Sequence, residues 1–115
     1  MNTSGTTWVG IGDGARSEAV QQVPSPVSGT IRGLQVRLSG NAGVAGGNVQ
    51  QYTFVLRING ANTAVTCFIQ EASSVCSDLT NTVPISEGDA FALQSTGSGN
   101  PTARSVTWSF VIDLD

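Results

Sequence analysis

Eight carboxylates, two cysteines and no histidine set the chemistry open to this 115-residue chain. Without histidine the usual general base at neutral pH is missing, and Ser-His-Asp and Cys-His arrangements are excluded. A carboxylate pair of the glycosidase kind would have to come from Asp13, Glu18, Glu71, Asp78, Glu87, Asp89, Asp113 and Asp115. Most of these sit in apparent turns or at the chain end. Glu87 and Asp89 would face the same way on a strand, but Glu87-Gly88-Asp89 reads better as a turn. Oxygen ligands for calcium could come from Gly12-Asp13-Gly14 or from Glu87 with Asp89, yet no loop places ligands at alternate positions. A phosphate loop over residues 10–14 lacks both a following helix and a lysine. The expectation is no catalytic residue, no cofactor and no metal.

Cys67 and Cys76 are equidistant from a turn centred on Glu71-Ala72. On a hairpin they would be opposed, and a non-hydrogen-bonded pair brings the Cβ atoms within disulfide reach. The alternative is two buried thiols, the default in a reducing compartment. With no histidine and no second cysteine pair, zinc is not indicated. Trp8, Tyr52 and Trp108 could form a sugar-stacking platform, but Tyr52 and Trp108 fall in register with apolar rows and read as core.

The elements that position these residues have a period of two. Val106, Trp108, Phe110, Ile112 and Leu114 alternate with Ser105, Thr107, Ser109, Val111 and Asp113, which puts one row inward and the other outward. The same spacing predicts strands over residues 30–39 and 51–58, with Leu34, Val36 and Leu38, then Tyr52, Phe54, Leu56 and Ile58, inward. Shorter strands are predicted over residues 6–11, 17–23, 63–70, 74–79, 82–85 and 90–94. Asn59-Gly60 is the favoured two-residue hairpin turn. Pro24 and Pro26 break a strand. Residues 40–50 and 95–101 read as Gly-, Ser- and Asn-rich loops. Eight or so short strands separated by turns indicate an all-β sandwich or barrel.

One domain fits the length. Residues 1–5 read as a flexible N-terminal arm and residues 6–115 as the domain. Charged residues are only 11% of the chain, against 39% hydrophobic, and the net charge is −3. The five arginines (Arg16, Arg32, Arg37, Arg57 and Arg104) are scattered and there is no lysine, so no basic patch for nucleic acid is expected. No stretch approaches the ~18 apolar residues of a membrane helix. The first residues lack the charged start and apolar middle of a secretion signal. A surface of Thr, Ser, Gly, Asn and Gln suits packing against copies of itself, because few charges must be desolvated.

Residues 23–38 (VPSPVSGTIRGLQVRL), 52–60 (YTFVLRING) and 85–93 (ISEGDAFAL) follow one another in an order that resembles the small trimeric jelly rolls of the complement and tumour-necrosis-factor type found in bacteria and their phages. The resemblance runs over about residues 23–115. It implies a jelly-roll β-sandwich that forms a homotrimer. It further implies a viral structural protein, made in the host cytoplasm and placed in the virion, most like a capsid decoration (cement) protein whose partner is the major capsid protein or another virion protein. The alternative is a receptor- or carbohydrate-binding knob of a phage tail, a fibre or a bacterial surface protein. Trp8, Val55 and Val111 are the candidate subunit contacts, Val55 and Val111 because they interrupt polar outward rows. Gly40, Asn41, Gly47 and Asn48 in one loop, and Ser98 and Asn100 in the other, are the candidate partner contacts.

Overall fold

Alternating apolar and polar residues must bury one face, and in the computed structural model the described residues form ten strands in two stacked sheets. The structure describes residues 5–9, 14–15, 22–43, 49–98 and 105–115. The strands are β1 (Gly5–Val9), β2 (Gly14–Ala15), β3 (Val23–Pro24), β4 (Gly29–Leu38), β5 (Gln51–Ile58), β6 (Ala61–Gln70), β7 (Val75–Asp78), β8 (Val83–Ile85), β9 (Ala90–Ser98) and β10 (Val106–Leu114). Sheet A runs β2-β1-β9-β5-β6, with β3 also on β9; sheet B runs β10-β4-β7, with β8 also on β4. Every pairing is antiparallel. The all-β sandwich expected from the alternation is therefore present.

In a jelly roll the chain doubles back as a ribbon, so early and late strands pair in nested order. Two nested pairs are present, β4 with β10 and β5 with β9. The winding departs from a regular jelly roll at β6, which stays beside β5 as a hairpin instead of crossing to the other sheet. Asn59 and Gly60 close that hairpin with φ of 51° and 80°, as the turn requires.

The core is the space between the sheets. Ile31, Leu34, Val36 and Leu38 from β4 face Tyr52, Phe54 and Leu56 from β5, Val65, Cys67 and Ile69 from β6, and Phe91 and Leu93 from β9. Trp108 and Phe110 of β10 are partly buried and meet Phe91 edge-on across the gap, with ring centroids 6.2 and 5.2 Å away, a favoured aromatic geometry. Tyr52 is fully buried, so it joins the core and not a sugar platform.

Ile31 and Leu34 both point inward although they are three apart, which strict alternation forbids. The β4–β10 register shifts between Ser109 and Val111, so that Gly33 and Leu34 together oppose Phe110. Gly33 has φ of 69°. A glycine in that region lets the strand hold one extra residue without losing its inward face.

Several boundaries differ from expectation. Gly5 already pairs with Gly97, so the ladder takes in the last residue assigned to the arm. Residues 95–98 belong to β9 and not to a loop, because they pair with β5 on one side and, from Ser95 to Gly97, with β1 on the other. Pro24 is itself a ladder residue of β3, opposite Ala90; the hydrogen bond beside it comes from Ser25 N–H to the Asp89 carbonyl (2.8 Å), so no donor is asked of the proline.

Candidate functional site

Each sheet has an outer face, and the two differ in charge. On sheet A the residues between the core positions form rows fixed by register. Thr66, Val55, Gln94 and Trp8 lie across β6, β5, β9 and β1 in one row; Phe68, Thr53, Thr96 and Thr6 make the next. Gln51 pairs with Gln70 and Ser98 beyond them. Arg57, at the hairpin end, is the one charged residue among the described residues of these rows, and it donates to Asn62 Oδ1 (2.7 Å) and the Gly60 carbonyl.

Several polar side chains of this face are engaged with one another or with the backbone. Gln70 Nε2 donates to Gln51 Oε1 (2.6 Å), Gln51 Nε2 donates to Thr53 Oγ1 (2.9 Å), and Thr66 Oγ1 donates to the Phe54 carbonyl (2.6 Å). A polar face whose donors are already engaged has less hydration to lose on contact. Phe68 stands out of it, 57% exposed.

Sheet B presents Arg32, Gln35 and Arg37 from β4, Val75 and Ser77 from β7, and Thr107, Ser109, Val111 and Asp113 from β10. Arg32 Nε lies 2.5 Å from Asp113 Oδ2, and this carboxylate raises the guanidinium pKa through the hydrogen bond and its charge. Both partners are exposed, so the pair adds little to stability. A shallow concavity of about 590 Å³ is lined by Gln35, Arg37, Val75, Ser77, Thr107 and Ser109, among others.

The candidate subunit contacts do not share a face. Val55 is half-buried on sheet A, whereas Val111 is exposed on sheet B beside Arg32. A single three-fold contact would need both on one sheet. The strands carrying them lie in different sheets, so any one contact uses one or the other. The β1 backbone places Trp8 in the row of Val55.

Gly40, Asn41 and Ser98 fall at the same end of the sandwich, and Gly47, Asn48 and Asn100 lie outside the described residues. The stretch after β4 is held to the β6–β7 turn, with Ala42 N–H donating to the Ser73 carbonyl and Gly43 N–H to that of Glu71. Ser98 closes β9 opposite Gln51.

Cys67 and Cys76 are disulfide-bonded, with Cα atoms 5.8 Å apart. They are not opposed on a hairpin ladder. Cys67 pairs with Phe54 in sheet A and Cys76 with Val36 in sheet B, so the bond ties the sheets together at one edge. Asp78 reinforces the same edge. It is buried at the end of β7 and accepts from Thr66 N–H (3.0 Å), Thr80 N–H (3.1 Å), Asn81 N–H (3.0 Å) and Asn81 Nδ2 (2.9 Å). Burial alone would raise its pKa; the donors from Asn81, Thr66 and Thr80 together outweigh that and pull it down to about 2. A carboxylate so saturated holds structure and has no lone pair left for a substrate. Sequence reading counted Asp78 as one acid among eight. The signal that could have marked it is Asp78-Leu79-Thr80-Asn81, an aspartate able to accept from backbone N–H groups two and three residues on.

Glu87-Gly88-Asp89 is a turn, as expected. Asp89 accepts from Ser86 N–H (2.8 Å) and Asn59 Nδ2 (3.0 Å), and these bonds, the backbone one first, lower its pKa. Among the described residues no three His, Cys, Asp or Glu side chains converge to hold a metal ion. Comparison with protein-family models, with curated proteins and with solved structures finds no significant match to this chain.

Proposed function

We propose that this chain is a non-enzymatic structural protein of a virus particle, a capsid decoration protein that assembles as a homotrimer and clamps neighbouring shell subunits. The observation that carries the proposal is the outer face of sheet A. It is broad, internally hydrogen-bonded and, among the described residues, uncharged apart from Arg57, with Phe68 projecting from it. Copies bearing a net charge of −3 repel at long range, so a self-contact is favoured where no charge has to be brought together or desolvated. Burial there contributes roughly 25 cal/mol per Å² of apolar area before association costs. Binding through three subunits at once lengthens residence on the shell. The resemblance of residues 23–115 to trimeric phage jelly rolls points the same way.

Light scattering on the purified chain tests the assembly. The expected mass is three subunits, and Val55→Asp should reduce it to one while circular dichroism still reports the folded sandwich. A chain that stays monomeric at every concentration, alone and mixed with shells, overturns the proposal. Cosedimentation with capsids then tests the partner, with binding expected to expanded shells and not to immature ones. The concavity of sheet B, with Arg37 and Trp108 in its lining, favours a second reading as a glycan- or receptor-binding knob. Saturable retention on a glycan array by the wild type, lost in Arg37→Ala, would support that reading instead.

A further inference from the structure

We infer that Asn59 is a site of spontaneous deamidation held in check by the fold, through the hydrogen bonds that hold its carboxamide on Asp89 and Ala90. Asn59 is the one asparagine of the chain followed by glycine; the other six precede Thr, Ala, Val or Pro. The chemistry needs only water. The Gly60 amide nitrogen gives up its proton and attacks Asn59 Cγ, the carboxamide nitrogen leaves as ammonia, and a five-membered succinimide forms. Water then opens the ring at either carbonyl, leaving an aspartyl or an isoaspartyl linkage. One water enters, one ammonia leaves, and nothing is oxidised or reduced. Glycine on the C-terminal side leaves the attacking nitrogen unshielded, which is why the sequence Asn-Gly matters.

The fold opposes this reaction at the carboxamide. Asn59 Oδ1 accepts from Ala90 N–H (2.9 Å), and Nδ2 donates to Asp89 Oδ1 (3.0 Å). Its own N–H donates to the Ala90 carbonyl (2.7 Å), and Arg57 holds the Gly60 carbonyl from the other side. The carboxamide must leave both Ala90 and Asp89 before its carbon can meet the Gly60 nitrogen. Conversion also spoils the site it leaves. A carboxylate at position 59 presents no donor to Asp89, and two acids then meet where one hydrogen bond had been. Asp89 also holds Ser86 N–H, so the damage reaches the turn that precedes β9. An isoaspartyl link adds a methylene to the backbone of a two-residue turn and breaks its register with Ala61.

Peptide mapping by mass spectrometry, with separation of aspartyl from isoaspartyl products, tests this on the intact chain incubated at mildly alkaline pH. In denaturant, position 59 should convert ahead of every other asparagine. In the native protein its rate should fall by about tenfold or more, the factor expected from losing a hydrogen bond to a charged group. Asp89→Ala should return much of that rate while the sandwich stays folded. A second pair of variants covers the case in which Asp89→Ala unfolds. Asn59→Asp should lower the melting temperature, and adding Asp89→Asn should recover it by restoring a donor between positions 59 and 89. Equal native and denatured rates, another asparagine converting first in denaturant, or no recovery in the double variant would overturn the inference.

Discussion

At the scale of single residues, Asp78 carries the clearest electrostatic consequence. Its folded pKa of about 2 lies below the ordinary value near 4. Above about pH 4 the carboxylate is charged in both folded and unfolded chains and its full stabilisation is present. As pH falls from about 4 towards 2 the unfolded chain takes up the proton first, and that stabilisation is lost. Asp89 is shifted the same way. Thermal melts across this range should therefore show a steep acid loss for the wild type and a shallower one for Asp78→Asn. At neutral pH that variant should be destabilised by about 1–3 kcal/mol, the worth of hydrogen bonds to a buried charged group. Parallel pH profiles for the two proteins would show that Asp78 is not the group responsible.

At the scale of elements, two devices hold the strands in place. The disulfide joins β6 of sheet A to β7 of sheet B across the edge where Asp78 also reaches Thr66. Breaking it with Cys67→Ser plus Cys76→Ser should cost about 2–3 kcal/mol in denaturant unfolding, the loop-closure value for so short a span. A change near zero would mean that Asp78 alone secures this edge. The start of β4 is limited by space. A Cβ on Gly29 would lie 2.2 Å from the Asp113 carbonyl oxygen of β10, and backbone cannot yield as a side chain tip can. Gly33 has room around it and is limited by its φ of 69°. Gly29→Ala should therefore cost more, about 2–3 kcal/mol from overpacking, than Gly33→Ala at about 1 kcal/mol from backbone strain. Chemical denaturation of both variants measures the difference, and the reverse order would show that β10 moves aside easily.

At the scale of the whole molecule, the sandwich separates its charges by face. Sheet B carries Arg32, Arg37 and Asp113 outward, and the turns carry Glu71, Glu87 and Asp89. Assembly through sheet A should then not weaken as salt rises, because no ion pair has to break and screening only reduces the repulsion between copies of net charge −3. Light scattering between about 0.05 and 1 M salt should give one mass, and Val111→Asp should leave it unchanged. Dissociation in high salt, or by Val111→Asp, would move the contact to sheet B and its arginines.

Much of the fold was legible in the chain because strand alternation is a local property. β5 spans Gln51–Ile58, the expected bounds around the apolar row from Tyr52 to Ile58, and the Asn59-Gly60 turn has the two positive φ values that its type requires. The inward rows of β5 and, as far as Ile112, of β10 follow from the same period; Leu114, expected in that row, is exposed because it lies at the end of the last strand, beyond the core. Partnership was not legible, because pairing is decided by strands far apart in sequence that compete for the same edges. Cys67 and Cys76 look like a hairpin pair by spacing, yet β7 leaves β6 for β4, and only that crossing makes their bond a tie between sheets. Val55 and Val111 look alike as apolar interruptions of polar rows, and only the assignment of β5 and β10 to different sheets sets them on opposite sides. What the amino-acid order determined by itself was which side chains turn inward along each strand, since that depends on the pleat. What the tertiary structure decided was which outer face carries Arg57 as its one charge among the described residues, and what Asp78 and Asn59 hold, since both depend on which distant strands and turns are brought together.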